Sequence, residues 1–263
     1  LYGVTHWDFD FKGHKLQGDW QTALGVTIRV PHLAFMSMEG EAKRDWPASI
    51  NYQSPWWEQY SYIENYFARV NTALTRGKAL VRVAVVHPIE SYWAAYGNTV
   101  QTGEIREQMD EDFKNVIQWL LFGLVDFDFL SESLMPEQYP DGEQLPYEMV
   151  ILPNLQTIRS STLAILNTFV KNGGTFVTTF FSGIADEHDL IVTGGYPGKL
   201  RDIMGIWVEE SDALPSGAEN HFTYRGKAYP AKLLCDLSHL EGAEALSVYE
   251  EDFYAQMPAI TKN

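Results

Sequence analysis

Short apolar segments alternate with helical segments between residues 80 and 215, and this alternation limits the possible folds more than any other feature. The strand candidates are Leu80–Val86, Leu124–Phe129, Glu148–Leu152, Thr175–Phe180 and Ile206–Glu209. Helical patterns cover about residues 104–123, 160–172 and 197–204. Segments such as VRVAVVHP are almost continuously apolar, as are strands of a parallel sheet that is covered on both faces. The pattern predicts an α/β domain with an open, doubly wound parallel sheet of the flavodoxin type.

The first 76 residues also indicate α/β structure, with more loop signals. A short strand is predicted at Tyr2–Thr5, and Asp19 is predicted to cap a short helix that runs through Leu24. A buried strand is predicted at Val26–Val30, before Pro31. Apolar residues then recur at helical spacing up to Leu74, with Ser54 as N-cap and Gly77 as the stop. After residue 215, HFTYRGKAYP and AEALSVYEEDFY predict short strands.

The charge balance excludes some classes of partner. The chain has 19 Lys and Arg against 35 Asp and Glu, a formal net charge of −16. Binding of nucleic acid or of an anionic membrane needs clustered cations, so neither partner is expected. No apolar run is long enough to span a membrane. The one cysteine, Cys235, excludes an internal disulfide and a cysteine-rich metal site.

The motifs of common cofactor sites are missing from the doubly wound region. The turn after its first strand reads VVHPIESYW, which lacks GxGxxG, and no GxxxxGK[ST] occurs. An amidotransferase-like site needs a cysteine on a strand-to-helix turn, whereas this turn carries Ser182 without a GxSxG elbow. Cys235 is interpreted as a buried structural thiol. The run Asp186–Asp189 is interpreted as a solvated loop or subunit contact. We therefore expect no cofactor and no metal.

Several segments of this region resemble a known family. FFSGIADEHDLIVTGGYPGKLRDIMGIWVEESDAL resembles the trimerisation domain of glycoside hydrolase family 42 β-galactosidases. VILPN, FVKNGGTFVTTF and YEEDFYAQMPAITKN resemble neighbouring segments in the same order, so the resemblance covers about residues 80–263. It implies a flavodoxin-like or amidotransferase-like domain that follows a catalytic β/α barrel. It also implies a carbohydrate substrate and a homo-oligomer, with a trimer as the first candidate.

The first 76 residues resemble the family less closely. GDWQTALGVTIRVPHLAFMS takes the place of the final barrel strand, while YQSPWW and ARVNTALTRG have some likeness to α-L-rhamnosidase-like proteins. A full (β/α)₈ barrel needs about 200 residues or more, so only its last two strands fit here. In the family the two catalytic carboxylates lie on the fourth and seventh barrel strands. The resemblance therefore implies that both lie outside this chain, and no catalytic residue is assigned within it.

Candidate sugar contacts lie in this first region, which holds five of the eight tryptophans of the chain. Large aromatic rings serve either as core residues or as platforms for sugar rings, and both interpretations stay open. Residues that follow barrel strands face the active site of such enzymes. His32 is expected to bond either a ligand hydroxyl or the protein itself, and Glu39 is either solvated or part of the site. The predicted substrate-binding residues are Trp7, His14, His32, Glu39, Trp56 and Trp57.

Three domains are predicted on this basis. Residues 1–76 are the C-terminal part of a glycosidase β/α barrel, residues 77–215 a flavodoxin-like domain of the trimerisation type, and residues 216–263 a β-rich extension that we expect to be truncated. The predicted function is that of a C-terminal portion of a glycoside hydrolase, β-galactosidase-like or related, which is inactive alone. The alternative is a non-catalytic carbohydrate-binding or assembly module.

Overall fold

A computed structural model describes residues 3, 6–32, 34–41, 50–140 and 144–263. The chain forms two compact units, Leu1–Ala79 and Leu80–Asn263. The predicted strand Tyr2–Thr5 lies outside the described residues apart from Gly3. No helix among the described residues is long and apolar enough to cross a membrane.

The first unit is built on two helices, α1 (Phe11–Ala23) and α2 (Tyr60–Leu74). Asp10 caps α1, because its carboxylate accepts a hydrogen bond from the Gly13 N–H at 2.9 Å. The prediction that Asp19 caps this helix was wrong: Asp19 lies inside α1 and pairs with Lys15 one turn earlier. The predicted helix start was too late because the first residues of α1, from Phe11 on, show no clear helical spacing of apolar residues. Asp10 was therefore not recognised as the cap.

Close contact between the two helices depends on a glycine. Gly18 is buried on α1, and a Cβ at this position would lie 2.0 Å from the Phe67 ring on α2. Phe67, Ile63 and Tyr60 form the buried face of α2. Any side chain at position 18 would therefore force the helices apart or displace the Phe67 ring.

The prediction of a buried strand at Val26–Val30 was wrong for the described chain. Residues 26–30 form no ladder there, and the Ile28 side chain is 77% exposed. A strand needs a ladder of hydrogen bonds to a neighbour, and in the described part of this unit bridge residues occur at Trp7 and Pro31 but not within 26–30. The segment is instead fastened to α2, since the Asn71 side chain donates to the Thr27 carbonyl at 2.7 Å. The helix α2 itself begins later than predicted, after a 3₁₀ turn at Trp57–Gln59.

The second unit contains the predicted parallel sheet. Its strands are β1 (Val83–Val86), β2 (Phe127–Leu130), β3 (Met149–Leu152) and β4 (Thr175–Thr178). They pair in parallel in the order β2-β1-β3-β4. The helices are α3 (Ile89–Ala94), α4 (Thr99–Phe122), α5 (Met135–Gln138), α6 (Ser160–Lys171) and α7 (Arg201–Met204). Mixed α/β structure with a parallel sheet is thus confirmed.

The core of this unit lies between the sheet and its helices. Ala84, Val86, Val150 and Leu152 from the central strands are fully buried, as are the apolar residues on one face of α6. The long helix α4 is different, because Gly103 and Met109 are its only buried residues among its 24. Most of the surface of α4 is therefore available to solvent.

The strand at residue 206 does not join the parallel sheet. It forms β5 (Ile206–Ala213), which pairs in antiparallel fashion with β8 (Leu234–Leu240). The remaining strands are β6 (Asn220–Tyr224), β7 (Lys227–Ala231), β9 (Glu244–Val248) and β10 (Pro258–Lys262), in the antiparallel pairs β6–β7 and β9–β10. The apolar run at the start of β5 resembled the parallel strands because its first and third residues, Ile206 and Val208, are buried in the same way.

Candidate functional site

The predicted sugar contacts fall on α1, α2 and the segments around them. His14 lies on α1, is fully buried, and its Nε2 is 3.1 Å from the Tyr60 hydroxyl. The His14 ring also packs edge-on against Tyr60 and stands 4.4 Å from the ring of Phe9. Trp56 packs against the same cluster around Tyr60. The structure thus brings His14 and Trp56 together, and Tyr60 is the residue that joins them.

The other predicted contacts are more accessible. Trp7 and Trp57 are each nearly half exposed, and Glu39 lies in an exposed turn where its N–H donates to the Ser37 hydroxyl at 3.3 Å. His32 is half-buried. A sugar-binding role for the six residues stays a prediction.

The segment that carries Glu39 is held near its start by side chains that precede α2. The Tyr52 hydroxyl donates to the Met36 carbonyl at 2.6 Å, and the Gln53 amide donates to the Phe35 carbonyl. Further back, the Arg29 guanidinium lies 4.0 Å from the centre of the Phe67 ring. Residues 27–29 and 35–36 are therefore held by α2 and by the residues just before it.

A polar network lies in the second unit where the parallel strands end. Glu90 follows β1, Glu132 follows β2 and Arg159 follows β3, so all three lie at the carboxyl edge of the sheet. The Arg159 Nε donates to both carboxylate oxygens of Glu90, at 2.7 and 2.9 Å. Its main-chain N–H donates to Glu132 Oε2 at 2.9 Å. One arginine thereby ties together the ends of three strands.

Two carboxylates of the protein occupy the start of α6. Glu132 accepts from the N–H of Arg159, the N-cap, and Glu187 Oε2 accepts from the Ser160 N–H at 3.3 Å. An anionic ligand at this helix start would have to displace both carboxylates. Glu132 is 2% exposed, and burial raises its pKa above the ordinary value, although the Arg159 N–H opposes the shift. The arrangement suits a structural brace better than an anion site.

The sequence analysis did not predict this network of Glu90, Glu132 and Arg159. The signal was present, because an acidic or basic residue follows each of the first three strands within seven residues. Its partners are 27 and 69 residues apart in the chain, so only the strand order shows that they meet. Glu187 belongs to the run Asp186–Asp189, in which Asp186 holds a turn by accepting from the N–H groups of His188 and Leu190. These two hydrogen bonds keep the pKa of Asp186 below its usual value.

Possible metal ligands and the cysteine thiol show no arrangement suited to catalysis among the described residues. Within the described ranges, no cluster of three or more His, Cys, Asp or Glu side chains has the geometry to hold a metal ion. Cys235 is fully buried on β8, next to Tyr249 and Tyr254, and burial raises the pKa of its thiol. A thiol in this environment is a poor nucleophile, which argues against amidotransferase-like chemistry.

A surface cavity of about 420 Å³ lies beside the edge strand β2. It is lined by Asp128, Phe129, Leu130, Gln138, Tyr139 and Tyr147. The Tyr147 hydroxyl donates to Asp128 Oδ2 at 3.1 Å, and burial raises the pKa of this tyrosine. The lining is neutral apart from Asp128.

Comparison with known proteins agrees with this architecture. The β-galactosidase trimerisation domain family (Glyco_hydro_42M) matches residues 81–263. A β-galactosidase of Planococcus sp. (strain L4) is 36% identical over 217 residues, which are 78% of this chain and 30% of that protein. A β-galactosidase of Clostridium perfringens is 38% identical over 190 residues, 69% of this chain and 26% of that protein.

Solved structures give the same picture. A family 42 β-galactosidase from G. stearothermophilus superposes with a TM-score of 0.61 at 28% identity, over 86% of this chain and 32% of that one. The β-galactosidase from Bacillus circulans sp. alkalophilus gives a TM-score of 0.54 at 29% identity, over 76% of this chain and 30% of that one. The chain therefore spans less than a third of the length of these relatives. It belongs to the β-galactosidase trimerisation domain family of glycoside hydrolase family 42.

Proposed function

We propose that the chain serves a family 42 β-galactosidase in two ways, as an oligomerisation domain and as one wall of the sugar site. The observation that carries this is the family match over residues 81–263, together with relatives that are β-galactosidases. The two catalytic carboxylates that retaining hydrolysis requires would lie outside this chain, as the resemblance to the family implies, because residues 1–76 leave room only for the last strands of the barrel.

The finer fold belongs to the same proposal. Residues 1–76 would be the C-terminal part of a (β/α)₈ barrel. Residues 77–215 would be a flavodoxin-like domain, which the strand order β2-β1-β3-β4 supports. Residues 216–263 would be a β-rich extension, and the five strands β6 to β10 within this range support that assignment.

An activity assay tests the catalytic part of the proposal. The 263-residue chain is expected to release no measurable phenol from aryl β-galactosides, with a full-length β-galactosidase of the family as positive control. Sustained turnover that follows the chain through purification would overturn it. Light scattering tests the assembly part, and a mass above the 29.9 kDa of one chain is expected.

The second candidate is a non-catalytic carbohydrate-binding module, and the exposed indoles of Trp7 and Trp57 favour it. Titration of galactose against tryptophan fluorescence distinguishes the two. Saturable quenching that is lost in Trp57→Ala, in a chain without hydrolysis, would support the binding module. If galactose does not change the tryptophan fluorescence, the chain does not bind the sugar alone. A role as one wall of the sugar site would then require the rest of the barrel.

A further inference from the structure

The C-terminal end of α4 exposes an unusual number of apolar side chains. Trp119 is 70% exposed, Phe122 85% and Leu124 93%, with Leu121 and Val125 more than a third exposed. These five residues define the 119–125 surface. Trp119 and Phe122 are three residues apart on the same helix, so they occupy neighbouring positions on one helix face.

The backbone brings the following residues back against the helix end. The Val125 N–H donates to the Leu120 carbonyl at 2.9 Å and the Leu124 N–H to the Leu121 carbonyl at 3.1 Å, which is a Schellman motif. Leu124 occupies the left-handed position of this motif with φ 55°. Glycine is the usual residue there, because a Cβ costs about 1–2 kcal/mol in that conformation. Leu124 is 93% exposed, so within the described residues its side chain gains little packing to offset that strain.

The charge around the 119–125 surface indicates which kind of partner it fits. The chain carries a formal net charge of −16, yet residues 115–125 contain no charged side chain over eleven positions. Two copies of so acidic a chain repel each other, and this repulsion costs less where at least one side of the contact carries no charge. A cationic partner would instead be expected to meet an acidic surface.

The exposed apolar area of the 119–125 surface also fits an interface between two chains. Large aromatic side chains present about 150–250 Å² each, so the five side chains expose on the order of 500 Å² per chain. The largest exposed apolar patch of a monomer is typically about 300–600 Å² and is often functional. Stable interfaces bury about 800 Å² per partner, and their centres are apolar with polar rims. The 119–125 surface therefore has the size of the centre of such an interface.

We propose that the 119–125 surface is where a second copy of this chain docks. This inference rests on the proposed self-association and names the surface that carries it. In a cyclic trimer the contact is heterologous, so the surface meets a different part of the neighbouring copy. In the assembled protein this copy would bury the Leu124 side chain, and that contact would offset the strain at its left-handed position.

Matched charge substitutions on the same helix test the proposal. Phe122→Glu places a carboxylate in the middle of the surface and is expected to abolish assembly, which leaves particles of 29.9 kDa in light scattering. Val100→Glu adds the same charge to the other end of α4, at a side chain that is 95% exposed, and is expected to leave the oligomer intact. Trp119→Ser removes apolar area without charge and is expected to raise the dissociation constant at least tenfold.

The outcomes separate this inference from the proposed function. If the wild-type chain assembles and Phe122→Glu assembles equally well, or if Val100→Glu dissociates it to the same extent, the assignment of the surface is wrong and self-association stands. Mass action favours an oligomer as the protein concentration rises. If the wild-type chain stays monomeric even at about 100 times the concentration used for light scattering, both the proposed self-association and the 119–125 docking surface fail. Circular dichroism of each variant confirms that the helix remains folded.

Discussion

At the residue scale, the behaviour of Glu132 follows from its burial. Its carboxylate is 2% exposed and accepts from the Arg159 N–H at the start of α6. A buried carboxylate is costly when charged, and the raised pKa of Glu132 expresses that cost. The residue therefore contributes to stability through its hydrogen bond rather than through its charge.

Glu132→Gln is expected to retain that bond and to be no less stable than the wild type at pH 7. Because the folded-state pKa of Glu132 is raised, its stabilising contribution is present below the ordinary pKa of 4.5 and is lost as the pH rises through the folded-state pKa. Glutamine does not titrate, so the stability of the variant relative to wild type should increase over that range. Urea unfolding at several pH values measures this difference, and a constant difference would contradict the argument.

Glu132→Ala is the matched variant. It removes the acceptor and leaves the Arg159 N–H without its partner, at an expected cost of about 1–3 kcal/mol. Equal stability of the alanine and glutamine variants would show that the hydrogen bond is not the source of the effect.

Leu124 offers a second test at this scale. In the Phe122→Glu background, where assembly is absent, Leu124→Gly is expected to stabilise the fold by about 1 kcal/mol, since it relieves the left-handed strain. In the wild-type background the same change should weaken assembly. Thermal unfolding and sedimentation measure the two effects, and a loss of stability in the monomeric background would show that Leu124 packs within its own chain.

At the scale of elements, the sequence predicts what local patterns encode. The strands β1 to β4 and the helix α6 follow from apolar runs and glycine turns, and their predicted bounds overlap the observed ones. The antiparallel partner of β5 and the Arg159 network depend on which elements meet, and local patterns carry no such information. The exposed run at Val26–Val30 has strand propensity, but strand structure also needs a hydrogen-bonding neighbour.

The α1–α2 pair is expected to depend on Gly18. Gly18→Ala places a methyl group within the Phe67 ring position and should destabilise this helix pair by about 1–3 kcal/mol. Leu16→Ala, at an exposed site on the same helix, is the control and should change stability by less than about 0.5 kcal/mol. Hydrogen exchange of the α1 amides reports the change.

The double variant Gly18→Ala/Phe67→Leu tests the mechanism. A smaller side chain at position 67 leaves room for the methyl group, so the two changes should be less than additive. Strict additivity would mean that the Phe67 ring is not what limits position 18.

At the scale of the whole molecule, net charge and the 119–125 surface act against each other. The formal charge of −16 opposes association, while the surface provides an apolar contact. Between 0.01 and 0.15 M salt the Debye length falls from about 30 to 8 Å, so we expect the association constant to rise, on the order of tenfold. Sedimentation equilibrium at both salt concentrations measures it. Association that weakens with salt would indicate ion pairs instead of an apolar contact.

The strand order has a consequence for how the chain folds. β3 pairs with β1 across the α3, α4 and β2 segments, so Met149 must find Val83 after more than sixty intervening residues. Loop closure over that length is slow, and contacts this distant in sequence delay folding. At about 5–20 residues per second of synthesis, several seconds pass between the emergence of β1 and that of its central partner. During that interval the edge of the apolar β1 that later pairs with β3 is open, and unpaired strand edges of this kind promote aggregation.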